Sequence, residues 1–133
     1  MSMNANKPIF IYRALLLLCV VYFVAVALAH QLGIKVPVLF VFYNVASERY
    51  QDLIISFLAF GWAMLFVIGF LDAELKRTIQ IPLLASAVIA IAGLFRAGME
   101  VQGHNEIICE IAGLAILLVA LVVAYGLAAK QRR

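Results

Sequence analysis

Charged side chains are scarce in this chain. Asp, Glu, Lys and Arg make up 13% of its 133 residues, whereas they make up about a quarter of a typical soluble domain. Hydrophobic residues account for 67%, against about half in a soluble domain. This balance excludes an ordinary soluble domain and predicts a single integral membrane domain over residues 1–133.

The common signatures of catalysis and cofactor binding are also missing. The sequence has no Gly-rich phosphate loop, no Gly-x-Ser-x-Gly and no His-Glu-x-x-His. Cys19 and Cys109 form no Cys-x-x-Cys pair, so we interpret both as small buried side chains. His30 and His104 fall in predicted loops, whereas haem ligation calls for histidines within the helices. We therefore expect no enzyme activity, no cofactor and no metal site.

Basic residues form no stripe, and the one short basic cluster is the tail Lys130-Gln-Arg-Arg133. This distribution argues against a nucleic-acid partner. No helix carries the repeated arginines of a voltage sensor, and the first apolar run has no acidic residue of the kind that small multidrug transporters place there. The expected partners are the lipid bilayer and either another membrane protein or a second copy of the chain.

Four long apolar runs dominate what is present. Crossing a bilayer core takes roughly 20 apolar residues, and the runs predict transmembrane helices at about 9–29, 53–71, 79–97 and 107–129. The predicted fold class is all-α, a four-helix transmembrane bundle. A cleavable signal peptide is the alternative for the first run, because Ala27-Leu-Ala29 resembles a small-residue cleavage site.

The segment between the first two helices, residues 30–52, fits no spanning pattern. Its apolar part, residues 36–43, contains Pro37 and is too short to cross a bilayer. We interpret it as an interfacial segment with Tyr43 and Tyr50 at headgroup depth. A re-entrant or pocket-lining loop is the alternative.

Small residues recur along one face of the predicted third helix. Ser86, Ala90, Gly93 and Ala97 follow one another at spacings of 4, 3 and 4. Such a face allows another helix to approach closely. We therefore predict that this face packs within the bundle.

The connection between the third and fourth helices holds ionisable residues that water cannot easily reach. Arg96 lies seven residues before Gly103 and Glu110 lies seven residues after it. If Gly103 is the tip of a helical hairpin, the two side chains reach the same depth on facing helices. The spacing therefore predicts an Arg96–Glu110 ion pair, with Glu106 as the fallback partner.

A wider charged cluster gathers at the same side of the membrane. The candidate ion-pair network or ligand pocket comprises Arg49, Asp52, Arg96, Glu100, Glu106 and Glu110. We interpret it first as ion pairs that lock the helix ends, and alternatively as a proton-linked or ligand-binding pocket. A metal site built from His104, Glu100 and Glu106 is a weaker hypothesis, because His-rich metal spacings are missing.

Orientation follows from the unequal distribution of basic residues. One side collects seven, namely Lys7, Arg13, Lys76, Arg77, Lys130, Arg132 and Arg133, and the other has three, Lys35, Arg49 and Arg96. We expect a multi-pass protein of the bacterial inner (plasma) membrane with both termini in the cytoplasm.

The order of these features resembles that of small bacterial four-helix integral membrane proteins known only as a domain of unknown function. The matching features are Pro37 between the first two helices, Arg49 before the second, Gly93-Leu-Phe-Arg96 near the end of the third, and Glu106 or Glu110 early in the fourth. The resemblance implies a fold and supplies no activity.

The sequence favours a non-enzymatic role. The leading expectation is a small membrane protein that acts through helix packing, as a structural or accessory subunit or a small oligomer. The alternative is a small transporter or ligand-binding membrane protein that uses an outward-facing Arg/Glu pocket.

Overall fold

The computed structural model describes residues 7–101 and 105–132, and it consists of four helices joined by loops. The helices are α1 (Lys7–Leu32), α2 (Arg49–Leu71), α3 (Arg77–Met99) and α4 (Asn105–Gln131). The described residues contain no strand, and all four helices are long and apolar enough to cross a membrane. The predicted all-α, four-helix fold class is confirmed.

Apart from the end of α2, the helices extend beyond their predicted bounds, and α1 continues to Leu32. Gly33 has φ +70°, the left-handed conformation that commonly follows a helix, and the Ile34 N–H donates to the Ala29 carbonyl at 2.9 Å. His30 therefore lies in the last turn of α1 rather than in a loop. At the start of α2, the Glu48 N–H donates to Gln51 Oε1 at 2.9 Å, which satisfies a helix-start donor before the apolar run begins.

The bundle has two unlike ends. At the loop end, residues 33–48 connect α1 to α2. At the terminal end lie Lys7, the 72–76 connection between α2 and α3, and Gln131. Most of the buried core belongs to the terminal half, and its members come from all four helices: Tyr12, Leu16, Cys19, Phe66, Leu83, Leu84, Leu121, Ala124 and Ala128.

A buried glutamine joins three helices at the terminal end. Gln80 of α3 is 0% exposed, and its Oε1 accepts a hydrogen bond from the Tyr12 hydroxyl of α1 at 2.7 Å. Its Nε2 lies 3.0 Å from both the Gly69 carbonyl of α2 and Asp72 Oδ2. α1, α2 and α3 are thus held together at this end by hydrogen bonds away from water, where such bonds matter most.

The predicted small-residue face of α3 is not the face that packs. Gly93 and Ala97 are exposed, and a Cβ built on Gly93 meets nothing within 4 Å. α3 instead turns Gly98 towards α4, where a Cβ would lie 3.2 Å from Ile111 and 3.3 Å from Ile107. Gly93 precedes Gly98 by five residues, which places it about 140° away around the helix.

Candidate functional site

A large cavity lies between α2 and α3 and extends from the loop end of the bundle to its middle. Its volume is about 830 Å³, within the roughly 300–1,000 Å³ of small-molecule sites. α1 and α4 contribute its inner wall, and residues of the 33–48 segment cover its loop end. The segment thus lines a pocket, which is the alternative that the sequence left open for it.

The cavity reaches the outer surface of the bundle. Ile54, Ile55 and Leu58 of α2 line it and are exposed, with Leu58 62% exposed. Gly93 of α3 lines it from the other side and is also exposed. These residues belong to apolar helices long enough to span a membrane, so the mouth faces the region that acyl chains occupy.

Aromatic rings form the deeper wall of the cavity. Phe23 of α1 stacks on Trp62 of α2 at a centroid distance of 5.9 Å and on Phe66 at 5.6 Å. All three rings line the cavity. Because flat rings with few rotatable bonds lose little entropy when ordered, they give an apolar ligand a preformed surface.

The loop end of the cavity is polar, and His30 is one of its two deeply buried groups. His30 is 5% exposed and stacks on Phe40 at 3.5 Å between centroids, with 8° between the planes. Its Nδ1 lies 3.0 Å from the Val26 carbonyl. Since a carbonyl only accepts, we assign the proton to Nδ1, which leaves Nε2 of the neutral ring as an acceptor.

Asp52 is the second buried polar group, and it is 4% exposed. The Ser47 hydroxyl donates to its Oδ1 at 2.9 Å, and the Lys35 ammonium donates to the Ser47 oxygen at 2.7 Å. Asp52 lies in the first turn of α2, where the helix dipole favours negative charge. Of the six residues predicted as a site, Asp52 alone lines the cavity.

Arg49 was predicted to belong to an ion-pair network or ligand pocket, but its side chain bonds to the backbone of α1 instead. Its guanidinium donates to the His30 carbonyl at 2.9 Å and also to the Gln31 carbonyl. These carbonyls belong to the last turn of α1, where helices leave acceptors unsatisfied. Ser56 of α2 adds a hydrogen bond to the Ala27 carbonyl at 2.9 Å. Arg49 therefore fastens α2 to the end of α1 and is not part of the cavity.

The two acidic residues of α4 lie near the 33–48 segment. The Tyr43 hydroxyl donates to the Glu106 carboxylate. This hydrogen bond raises the pKa of Tyr43, because only the protonated phenol can donate, and the charge of Glu110 acts in the same direction. Glu110 Oε2 itself is buried and has no hydrogen-bond partner among the described residues.

Arg96 and Glu100 are exposed at the end of α3. Among the described residues there is one ion pair, Lys76–Glu74, at 3.2 Å. The predicted Arg96–Glu110 pair is therefore not formed. The physical reason is the rotation of α3: Gly98 faces α4, and Arg96 is about 200° away around the helix. Two side chains at the same depth in a helical hairpin meet only if both helices are also rotated so that the side chains face each other.

The six predicted residues therefore do not converge on one pocket. The metal hypothesis rests on His104, which lies outside the described residues, as does Gly103. Among residues 7–101 and 105–132, no three metal-binding side chains cluster.

Sequence reasoning missed His30, Phe40 and Ser47 as parts of the site. One signal was available for His30: a histidine followed by Gly33 at the end of an apolar run is typical of a helix C-terminus, which would have placed it inside α1. The stacking of His30 on Phe40 has no such signal, because it depends on how the 33–48 segment folds back over the bundle.

Fold and cavity together define a four-helix, multi-pass type of membrane protein with a pocket between its second and third helices. Comparisons with protein-family models, curated proteins and solved structures return no match.

Proposed function

We propose that this chain is a non-enzymatic protein of the bacterial inner membrane that binds a lipid-like amphiphile in the cavity between α2 and α3. The observation that supports this most is the cavity itself, about 830 Å³ in volume and lined mainly by apolar side chains. Binding sites of this size and lining are typical for small molecules with a large apolar surface.

The distribution of polarity along the cavity favours an amphiphile over a purely apolar ligand. Apolar residues such as Leu58 and Leu94 border the mouth, and the aromatic wall lies deeper. His30 and Asp52 sit at the loop end. A molecule with an apolar chain and one polar head matches this order. Its chain would fill the apolar part of the cavity and make van der Waals contacts there, while its head would hydrogen-bond to the buried polar groups.

This proposal retains the ligand-binding function that the sequence offered as an alternative, but it places the binding site elsewhere in the bundle. The expected pocket was built from Arg and Glu side chains, whereas this cavity contains Asp52 and His30 and lies beside the lipid region. The absence of catalytic sequence motifs supports a binding role.

A pair of glycine substitutions tests the proposal. A Cβ added at Gly93 or at Gly61 would meet open space, but Gly93 lines the cavity and Gly61 does not. Gly93→Phe should fill the mouth and strongly reduce the lipid that remains bound after purification in mild detergent, as measured by native mass spectrometry. Gly61→Phe should retain as much as the unmodified protein. Equal bound lipid in all three proteins would refute the proposal.

A second candidate is an accessory subunit that acts through helix packing, or a small oligomer. It is favoured by the small-residue face of α3, where Ser86, Gly93 and Ala97 remain exposed. Ala97→Phe should disrupt a complex through this face while leaving the cavity intact, because Ala97 does not line it. Ala92→Phe, an exposed alanine on another side of α3, is the control. Cross-linking in membranes measures the result, and identical patterns for both variants would exclude this candidate.

A further inference from the structure

The polar end of the cavity has two hydrogen-bond acceptors that receive no donor from residues 7–101 and 105–132. In the hydrogen bonds of the described residues, Asp52 accepts at Oδ1 and His30 is engaged at Nδ1. Asp52 Oδ2 and His30 Nε2 therefore have no donor from those residues. Both side chains line the cavity and are more than nine-tenths buried, but neither atom is one of the fully enclosed polar atoms without a partner, so a ligand in the cavity is the natural donor for both.

We propose that Asp52 and His30 select an amphiphile whose head carries a primary ammonium, that is, an aminophospholipid of the phosphatidylethanolamine type. The inference rests on the proposed function of the cavity. An ammonium has three N–H donors, which suits two acceptors on neighbouring elements, and its positive charge compensates the buried Asp52 carboxylate.

Other heads fit this end less well. An anionic head without an ammonium would bring a second negative charge to the Asp52 carboxylate, which like-charge repulsion opposes. A choline head carries the same positive charge as ethanolamine but has no N–H to donate. The phosphate of an ethanolamine lipid has a cation nearby, because Lys35 reaches Ser47, the residue that donates to Asp52.

Both acceptors are held in fixed positions. Phe40 and the Val26 carbonyl fix the plane of the His30 ring, and Ser47 fixes the Asp52 carboxylate. Of the charged side chains beside Asp52 along α2, Glu48 is exposed and Arg49 bonds to the end of α1. A preorganised pair of acceptors discriminates between heads because little ordering is required on binding.

Lipid competition provides the test. The full chain is purified and incubated with equimolar dioleoyl phosphatidylethanolamine, phosphatidylcholine and phosphatidylglycerol, and bound lipid is measured by native mass spectrometry. Ethanolamine and choline lipids with the same acyl chains carry the same charges and differ in N–H donors. Because a hydrogen bond to a charged group contributes appreciably, we expect the ethanolamine lipid to exceed the choline lipid by about tenfold.

Two carboxyl substitutions locate the selectivity. Asp52→Asn keeps the shape and an acceptor for Ser47 but removes the charge, and it should reduce the preference to about twofold or less. Glu48→Gln removes a carboxylate four residues away that does not line the cavity, and it should leave the preference unchanged.

The outcomes separate this inference from the function on which it rests. Lipid bound without preference, or with preference for phosphatidylglycerol, would refute the assignment of the head and leave the cavity as a lipid site. No bound lipid of any class would refute both. A preference that survives Asp52→Asn would also refute the role given to Asp52.

Discussion

The buried polar residues of this protein differ in whether they have a hydrogen-bond partner. The Tyr12–Gln80 hydrogen bond connects α1 to α3 in a site closed to water. Glu110 is the opposite case, since its Oε2 is buried with no partner among the described residues. Residues of the first kind stabilise the bundle, whereas a polar atom of the second kind lowers its stability.

Removal of the Tyr12 hydroxyl should destabilise the protein. Tyr12→Phe leaves the Gln80 oxygen buried without its donor, which costs about 1–3 kcal/mol. The measurement is thermal unfolding in detergent. Tyr50→Phe is the matched control, because Tyr50 is exposed and should unfold at the temperature of the unmodified protein. Equal unfolding temperatures for Tyr12→Phe and Tyr50→Phe would contradict the importance of this bond.

Arg96 and Glu110 should behave as independent residues. Arg96→Ala should have no measurable effect on stability, because Arg96 is exposed. In a double-mutant cycle with Glu110→Ala, the effects should add to within about 0.5 kcal/mol, as they do for residues that do not touch. A coupling clearly above that value would mean that the two side chains do pair.

At the scale of helices, glycine positions mark where α3 comes close to a neighbour. Gly98→Leu should force α3 and α4 apart, at a cost of about 1–3 kcal/mol, because a Cβ there already lies 3.2 Å from Ile111. Gly93→Leu provides the comparison: it lies on the same helix and gains the same helix propensity, but meets open space. Unfolding in detergent should rank Gly98→Leu below Gly93→Leu, and the reverse order would contradict this packing.

The contrast between these two glycines explains what the sequence could and could not predict about helices. The existence of α1 to α4 followed from the length of the apolar runs. Which face of α3 packs could not follow from hydropathy, because lipid and protein interior are both apolar and the helix shows no polar side. The small-residue spacing favoured the face through Gly93, and hydropathy contains no term that would have favoured the face through Gly98 instead.

Of the residues that line the polar end of the cavity, one was predicted from the sequence as a candidate site residue. This residue is Asp52, which was identified because a carboxylate at the edge of a membrane-spanning segment is costly to bury unless it has a polar partner. His30 was missed because its position depends on where α1 ends, and Ser47 because its bond to Asp52 depends on the path of the 33–48 segment. Contacts created by a folded-back loop are not encoded in any local spacing.

At the scale of the whole molecule, the orientation expected from the basic residues leads to a direct prediction. Reporter fusions after Glu74 and at the C-terminus should report the cytoplasm, and a fusion near Gly103 should report the outside, because seven of the ten basic residues lie on one side. An outside signal from the Glu74 fusion would refute this orientation.

The bonds between α1 and α2 have a consequence for how the cavity could change its width. Arg13 donates to the Phe70 carbonyl at the terminal end, and Arg49 and Ser56 bond to α1 at the loop end. Hydrogen bonds therefore join the two helices near both ends, and α1 and α2 should move together. α3 is hydrogen-bonded to them through Gln80 at the terminal end and packs on α4 through Gly98 at the loop end. The gap between α2 and α3 can therefore widen at the loop end if α3 and α4 move together, with Gln80 as the pivot.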